Sequence, residues 1–358
     1  MAFSYYKSVT IDHTKVPNTD QSNFPVLVSF TSTDLKSVSN SGHVQSSSGY
    51  DIYFYSDSAL TTRIPAERER YVASTGEVIF WVKVSSVSHT SDTVFYLAYG
   101  DSGISSDPNS DGTYGATSVW DSNYKGVYHL PDGSSLTAND STSNGKNGTL
   151  NNTPTAATGK IGGAASFGGA QSITADNFTS DLAGPTAYTM SCWFKPTSTS
   201  SGSNGTIVGF RNDDVDDAFY LLQLGASSDV EARFRNSAGT AVTISAWSLL
   251  SAGTWVYLCF VYDGTNLIVY SNGNNSYSST GSGTFGATSN RPFWIGNGSF
   301  NTFLDGVVDE ARFSISNRSA DWIKTEYNNQ NSPSTFHTIG TETAVGGGAY
   351  NPGFFALM

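Results

Sequence analysis

The sequence predicts an all-β protein of two β-sandwich domains with one short C-terminal helix, and three observations lead there. Its apolar content is carried largely by 19 Tyr, 21 Phe and 7 Trp, which favour strands, against a background of Ser, Thr, Gly and Asn that favours turns. Alternating apolar and polar runs recur at short spacing with Gly, Ser, Asp and Asn between them. The 358 residues suffice for about two domains.

The first domain is expected over residues 1–118. YYKSVTIDH opens it as a strand, Val16 to Asp20 is turn chemistry, and Phe24 to Phe30 is a second strand with clear alternation. Gly49 to Asp57, Gly76 to Val84 and Asp92 to Asp101 continue the pattern. Arg63 to Tyr71 interleaves Glu67 and Glu69 with Arg68 and Arg70; the two glutamates share a strand face, and the flanking arginines suggest a solvated ion-pair edge. In this order the segments resemble the domain of unknown function DUF2341. The resemblance implies a fold partner for a following jelly roll and names no catalytic residue.

The second domain is expected over residues 119–340. VWDSNYKGVYHLPDG opens it, DSTSNGKNGTL is a Gly/Asn-rich loop, and GKIGGAASFGG follows as a strand. In YTMSCWFKP, Tyr188, Met190, Cys192 and Phe194 share one face and Thr189, Ser191, Trp193 and Lys195 the other, as in a half-buried antiparallel strand. TWVYLCFVY is apolar on both faces and reads as central, while Asp263-Gly264 and Asn272-Gly273 mark hairpin turns. LDGVVDEARF is the closing strand. The period then becomes helical: Ser319 is placed to cap, Asp321 falls in the first turn, and Trp322, Ile323 and Tyr327 recur to Asn328. Ser334 to Ile339 reads as a last strand returning to the first domain. These motifs, in this order, resemble the laminin-G-like, concanavalin A-type jelly rolls.

Thirty acidic against 18 basic residues give a net charge of -12, which leaves no counter-charge for a phosphate backbone and argues against nucleic acid as a partner. Met1 to His13 lacks a basic and then apolar leader, and no run approaches the ~18 apolar residues of a membrane span; neither a signal peptide nor membrane insertion is expected. Cys192 and Cys259 sit in apolar strands and read as buried thiols, with a bridge open if those strands are neighbours.

Jelly-roll glycosidases set an acid and a nucleophile at alternating positions of one strand about 5 Å apart. Asp305, Asp309 and Glu310 lie near the matching stretch, but Val307 intervenes and the EXDXXE pattern is absent. No catalytic residue and no enzyme activity are expected; Asp309 or Glu310 pairs instead with Arg312. Many jelly rolls of this class hold a structural calcium, and the resemblance carries such a site onto Asp140 and Asp309; no other cofactor is required. The acidic loop Arg211 to Asp217 lacks a calcium-loop spacing. The histidines His13, His43, His89, His129 and His337 are scattered, with no HExxH or His/Cys cluster, which gives zinc no support. Trp247, Tyr277, Arg291 and Trp294 are sugar-binding candidates by residue type.

From residue 341 a Gly346-Gly347-Gly348 hinge leads to an apolar end with Tyr350, Phe354, Phe355, Leu357 and Met358, read as a docking tail. Domains of these two kinds in one chain resemble bacteriophage tail, fibre and decoration proteins. The expectation is a non-enzymatic virion protein, assembled in the host cytoplasm and extracellular when mature. Its tail would bind other virion proteins, its jelly roll a cell-surface glycan, and copies could form a homo-oligomer. A bacterial surface adhesin and a polysaccharide-cleaving enzyme are the alternatives.

Overall fold

The computed structural model describes residues 2–131, 135–199, 205–211, 218–223, 228–236, 238–284, 292–296 and 304–346. The first part of the chain forms β1 (Tyr5–Ile11), β2 (Gln21–Thr31), β3 (Tyr53–Tyr55), β4 (Arg63–Ile64), β5 (Ala66–Val72), β6 (Glu77–Val87) and β7 (Thr93–Tyr99). The second forms β8 (Tyr124–Tyr128), β9 (Gly148–Asn151), β10 (Thr155–Thr158), β11 (Gly163–Gly169), β12 (Ser172–Ala175), helix α1 (Thr179–Leu182), β13 (Tyr188–Pro196), β14 (Gly205–Arg211), β15 (Ala218–Gln223), β16 (Val230–Arg235), β17 (Ala241–Ala246), β18 (Val256–Tyr262), β19 (Asn266–Ser271), β20 (Asn274–Thr280), β21 (Phe293–Gly296) and β22 (Leu304–Ser314). Helices α2 (Ala320–Asn331) and α3 (Pro333–Phe336) follow, then β23 (His337–Ile339) and β24 (Thr343–Ala344).

Four sheets result, stacked as two sandwiches. One sheet runs β23-β1-β7-β3-β4, with β24 also on β1, and faces the three-stranded sheet β2-β6-β5 across a core that includes Val9, Val26, Phe54, Phe80 and Leu97. The other sandwich pairs β10-β11-β22-β13-β18-β19-β20, with β8 on β22, against β17-β16-β15-β14-β21-β12-β9. Met190, Phe194, Phe210, Phe219, Phe260 and Phe313 fill its core. The architecture is mostly β with few helices, as the sequence predicts.

Both faces of β13 are buried, against the half-buried expectation, because α2 covers the outer face of its sheet: Trp193, Tyr257 and Tyr270 meet Ile323 and Tyr327 there. The predicted strand at Gly49 to Asp57 shortens to Tyr53–Tyr55. The Asn272-Gly273 turn has φ of 50° and 72°, the left-handed pair a tight hairpin needs. Ser191 lies opposite Cys259, and Cys192 opposite Leu258, on neighbouring β13 and β18. That one-residue offset puts the two sulfurs on opposite faces, Cys192 in the sandwich core and Cys259 under α2, so both remain free thiols.

α2 begins at Ser319, whose side chain accepts the Trp322 N–H. It bridges the two sandwiches. Trp322 packs edge-on against Phe24, with ring centroids 4.8 Å apart. Asn329 accepts from Leu27 N at 2.7 Å and donates to Leu27 O at 2.9 Å, satisfying the edge of β2 as a neighbouring strand would. Ser334 to Phe336 lie in a helical turn, since Pro333 at its start presets helical φ. The strand that follows pairs with β1, His337 opposite Ile11 and Ile339 opposite Val9.

Candidate functional site

The outer face of the three-stranded sheet lies on the outer face of the eight-stranded one. Leu27, Ile79 and Trp81 from the first side join Val119, Trp120, Tyr124, Val127 and Ile161 from the second in one apolar cluster. Charged side chains are set into it. Two bulges aim them: Glu69 is the extra residue where β5 slips against β6, and Glu310 lies at the slip of β22 against β13, with φ of 53°.

His129 is the centre of this group. Its Nδ1 lies 2.8 Å from Glu310 Oε1 and 3.7 Å from Glu69 Oε2, and its Nε2 lies 3.2 Å from Glu67 Oε2. Glu67 also accepts from Ser141 Oγ at 2.6 Å and Trp120 Nε1 at 2.9 Å, and Glu69 from Trp81 Nε1 at 2.8 Å. Arg312 donates to Glu310 Oε2 at 2.6 Å and to Glu326 of α2, with its guanidinium 4.3 Å from the Trp81 ring centroid. Burial alone would depress the His129 pKa, but Glu310 and Glu67 together outweigh it and hold it well above the usual histidine value. Burial pushes Glu69 up to about 8, whereas for Glu310 the cations His129 and Arg312 outweigh burial and keep it low.

The glutamates of β5 are therefore not a solvated edge. Arg68 points the other way, to Asp107, Arg70 sits opposite Ile79 at the rim of the covered face and pairs there with Glu77, and the glutamate face is covered by the second sandwich. Sequence reasoning missed His129, because its partners lie 62 and 181 residues away. The shared face of Glu67 and Glu69 was the only signal.

The other sheet of the second sandwich turns a different face outward. Because Ile173, Phe293, Ile295, Val208, Phe210, Phe219, Leu221, Ala232, Phe234 and Ile244 enter the core, the residues between them point away from it. In register, these give a row of Thr174, Trp294, Gly209, Tyr220, Arg233 and Thr243. Trp294 is half-buried, and Tyr220 donates its hydroxyl to Glu231 on the same face at 2.9 Å.

Trp247 is 60% exposed in the turn after β17, and Tyr277 of β20 donates to its carbonyl at 3.1 Å, so these two candidates meet at the sandwich edge while Trp294 stands on the sheet face. Arg291 and the tail residues Tyr350, Phe354, Phe355, Leu357 and Met358 lie outside the described residues, as does the Asn212 to Asp217 loop. The carboxylates of Asp140 and Asp309, the calcium candidates, hydrogen-bond separate stretches of backbone. Asp140 spends both oxygens on Val127 N, Thr142 N, Thr142 Oγ1 and Lys146 N, organising its own loop. Asp309 Oδ2 accepts Lys160 N and Ile161 N, and burial raises its pKa well above the carboxylate range. Among the described residues two groups could hold a metal, Asp12 with His13 and Asp92, and Glu69 with His129 and Glu310. No helix among the described residues is long and apolar enough to cross a membrane.

No curated protein matches this chain. Among solved structures, domain 4 of AbnA, an extracellular GH43 arabinanase of Geobacillus stearothermophilus solved with arabinotriose, is 24% identical over 57% of this chain and 98% of that one, with a TM-score of 0.47. The binding domain of Paraclostridial Mosquitocidal Protein 1 is 14% identical over 57% of this chain, with a TM-score of 0.48, and the receptor-binding domain of botulinum neurotoxin C/D mosaic serotype is 12% identical over 58%, with a TM-score of 0.45. This chain spans about half the length of each of those two, 52% and 51%. Residues 48–142 match the domain of unknown function DUF2341, and residues 167–324 match the concanavalin A-like lectin/glucanases superfamily. The chain thus carries a DUF2341 domain followed by a laminin-G-like, concanavalin A-type domain.

Proposed function

We propose that the protein is a non-enzymatic glycan-binding component of a larger particle, with the outer face of the seven-stranded sheet as its binding surface. The observation that carries this is the row from Thr174 to Thr243. Trp294 offers a flat, half-buried face, Arg233 and Glu231 offer partly exposed polar groups, and Tyr220, buried against Gly209, fixes Glu231 through its hydroxyl. Sugars need that combination of a stacking ring and oriented hydrogen bonds. The outer face of the opposite sheet is taken up by α2 and the first domain. Asp309 and Glu310 lie on that covered side, bonded to backbone N–H groups, His129 and Arg312, which supports binding over hydrolysis. The match to a lectin and glucanase superfamily over residues 167–324 supports the same reading. Membership in a phage virion, as a decoration or fibre protein, is the placement that the pairing of domains and the apolar end of the sequence favour.

On a glycan array the protein should bind a restricted set of sugars, and Trp294→Ala should weaken that binding at least about tenfold while leaving the circular dichroism spectrum unchanged, as expected for loss of a stacking ring worth about 1.5 kcal/mol. Absence of any binding, or binding indifferent to Trp294→Ala, would overturn the surface assignment. Immunogold labelling of phage particles checks the placement, and labelling confined to a bacterial envelope would favour the adhesin instead.

A further inference from the structure

We propose that Glu69, His129 and Glu310 form a closed binding site for one divalent transition metal of the zinc type, clamping the two domains together. The ligating atoms lie within 4.8 Å of one another, one from each side chain, and come from three separate parts of the chain: β5, the residue after β8, and β22. One nitrogen with carboxylate oxygens suits zinc or manganese better than calcium, which takes oxygen alone.

The surroundings are those a metal requires. A ligating histidine usually donates its other ring N–H to a carboxylate, which fixes the tautomer. Here Glu67 stands 3.2 Å from His129 Nε2 and is itself held by Ser141 and Trp120, leaving Nδ1 directed at Glu310 and Glu69. Glu69 is oriented by Trp81 and Glu310 by Arg312. A second, independent observation points to a cation. Among the described residues Glu69 Oε1 accepts no hydrogen bond, although its side chain is 2% exposed. Gly162 makes room for it: a Cβ there would stand 2.5 Å from that oxygen, at a φ of 50°. A carboxylate bonded through both oxygens would bring the donors to four, in a geometry distorted from tetrahedral by the narrow bite of the carboxylate. The carboxylates of Glu67, Glu69, Glu310 and Glu326 also outnumber the single guanidinium of Arg312.

The test is metal analysis and thermal unfolding of the full chain. After dialysis against EDTA and addition of equimolar zinc chloride, about one zinc should be retained per chain and Tm should rise by about 5 °C or more, as metal bound only by the folded state stabilises it. Glu69→Gln should lose both effects. His13→Ala, which removes the exposed Asp12, His13 and Asp92 group, should lose neither. Should Glu69→Gln fail to fold, visible absorption of cobalt bound to the wild-type protein, abolished by added zinc and kept in His13→Ala, supports the site. Absence of retained metal and of any Tm shift in tenfold excess zinc, manganese or cobalt would overturn it, leaving a protonated His129 as the clamp. Binding that survives Glu69→Gln, or vanishes with His13→Ala, would overturn it as well.

Discussion

Glu310 holds a left-handed backbone conformation that non-glycine residues rarely adopt, at a cost of about 1–3 kcal/mol. The strain persists because His129 and Arg312 hold its carboxylate from two sides, inside a region closed to water. Arg312 is the more costly member to remove. Arg312→Met would leave Glu326 buried without its cation and Glu310 with His129 alone, and we expect a loss of about 3–5 kcal/mol, read as a lower urea midpoint with unchanged slope. A change under 1 kcal/mol would mean that the pair is replaceable by packing alone. The sequence made the Glu310 and Arg312 pairing visible, since the two are neighbours on one strand. It did not show the role of Glu67 and Glu69. Alternation placed them on one face, yet only the docking of a second sandwich, a contact that leaves no local pattern, decides that the face is dry.

At the scale of elements, the closing helix and the strand after it were legible in part. Ser319 and the spacing of Trp322, Ile323 and Tyr327 gave α2 its start and its buried side, while the apolar residues around Phe336 read as strand although Pro333 begins a helical turn. β23 carries a histidine into the joint: His337 is 3% exposed, and its Nε2 lies 3.2 Å from Leu27 O. Burial lowers its pKa to about 4. A depressed folded value means that the unfolded chain takes up a proton first. The stability this residue allows is therefore full above about pH 6.5 and falls as pH drops towards about 4, below which the loss levels off. Urea midpoints between pH 7 and pH 4 should fall less steeply in His337→Gln than in wild type. Parallel profiles would remove His337 from the acid response.

For the whole molecule, the two sandwiches share more than a linker. Trp322 belongs to the first core, Asn329 closes the edge of β2, and β23 extends the β1 sheet after the chain has built the second sandwich. One calorimetric transition is the expected outcome for the full chain, with Trp322→Ala lowering its Tm through a loss of about 3–5 kcal/mol. Two resolved transitions in the wild type would show that the joint is too weak to couple them. The sandwiches themselves were readable because alternating strands and Asx-Gly turns are local signals; their stacking order was not, because it depends on which outer faces meet. The register of β13 against β18 has a further bearing. With Cys192 and Cys259 on opposite sides of one sheet, and burial raising both thiol pKa values above the ordinary range, neither sulfur can reach the other nor readily become a thiolate. The fold has no covalent fastener to gain on oxidation or to lose on reduction, so its unfolding midpoint should be the same with and without a thiol reductant.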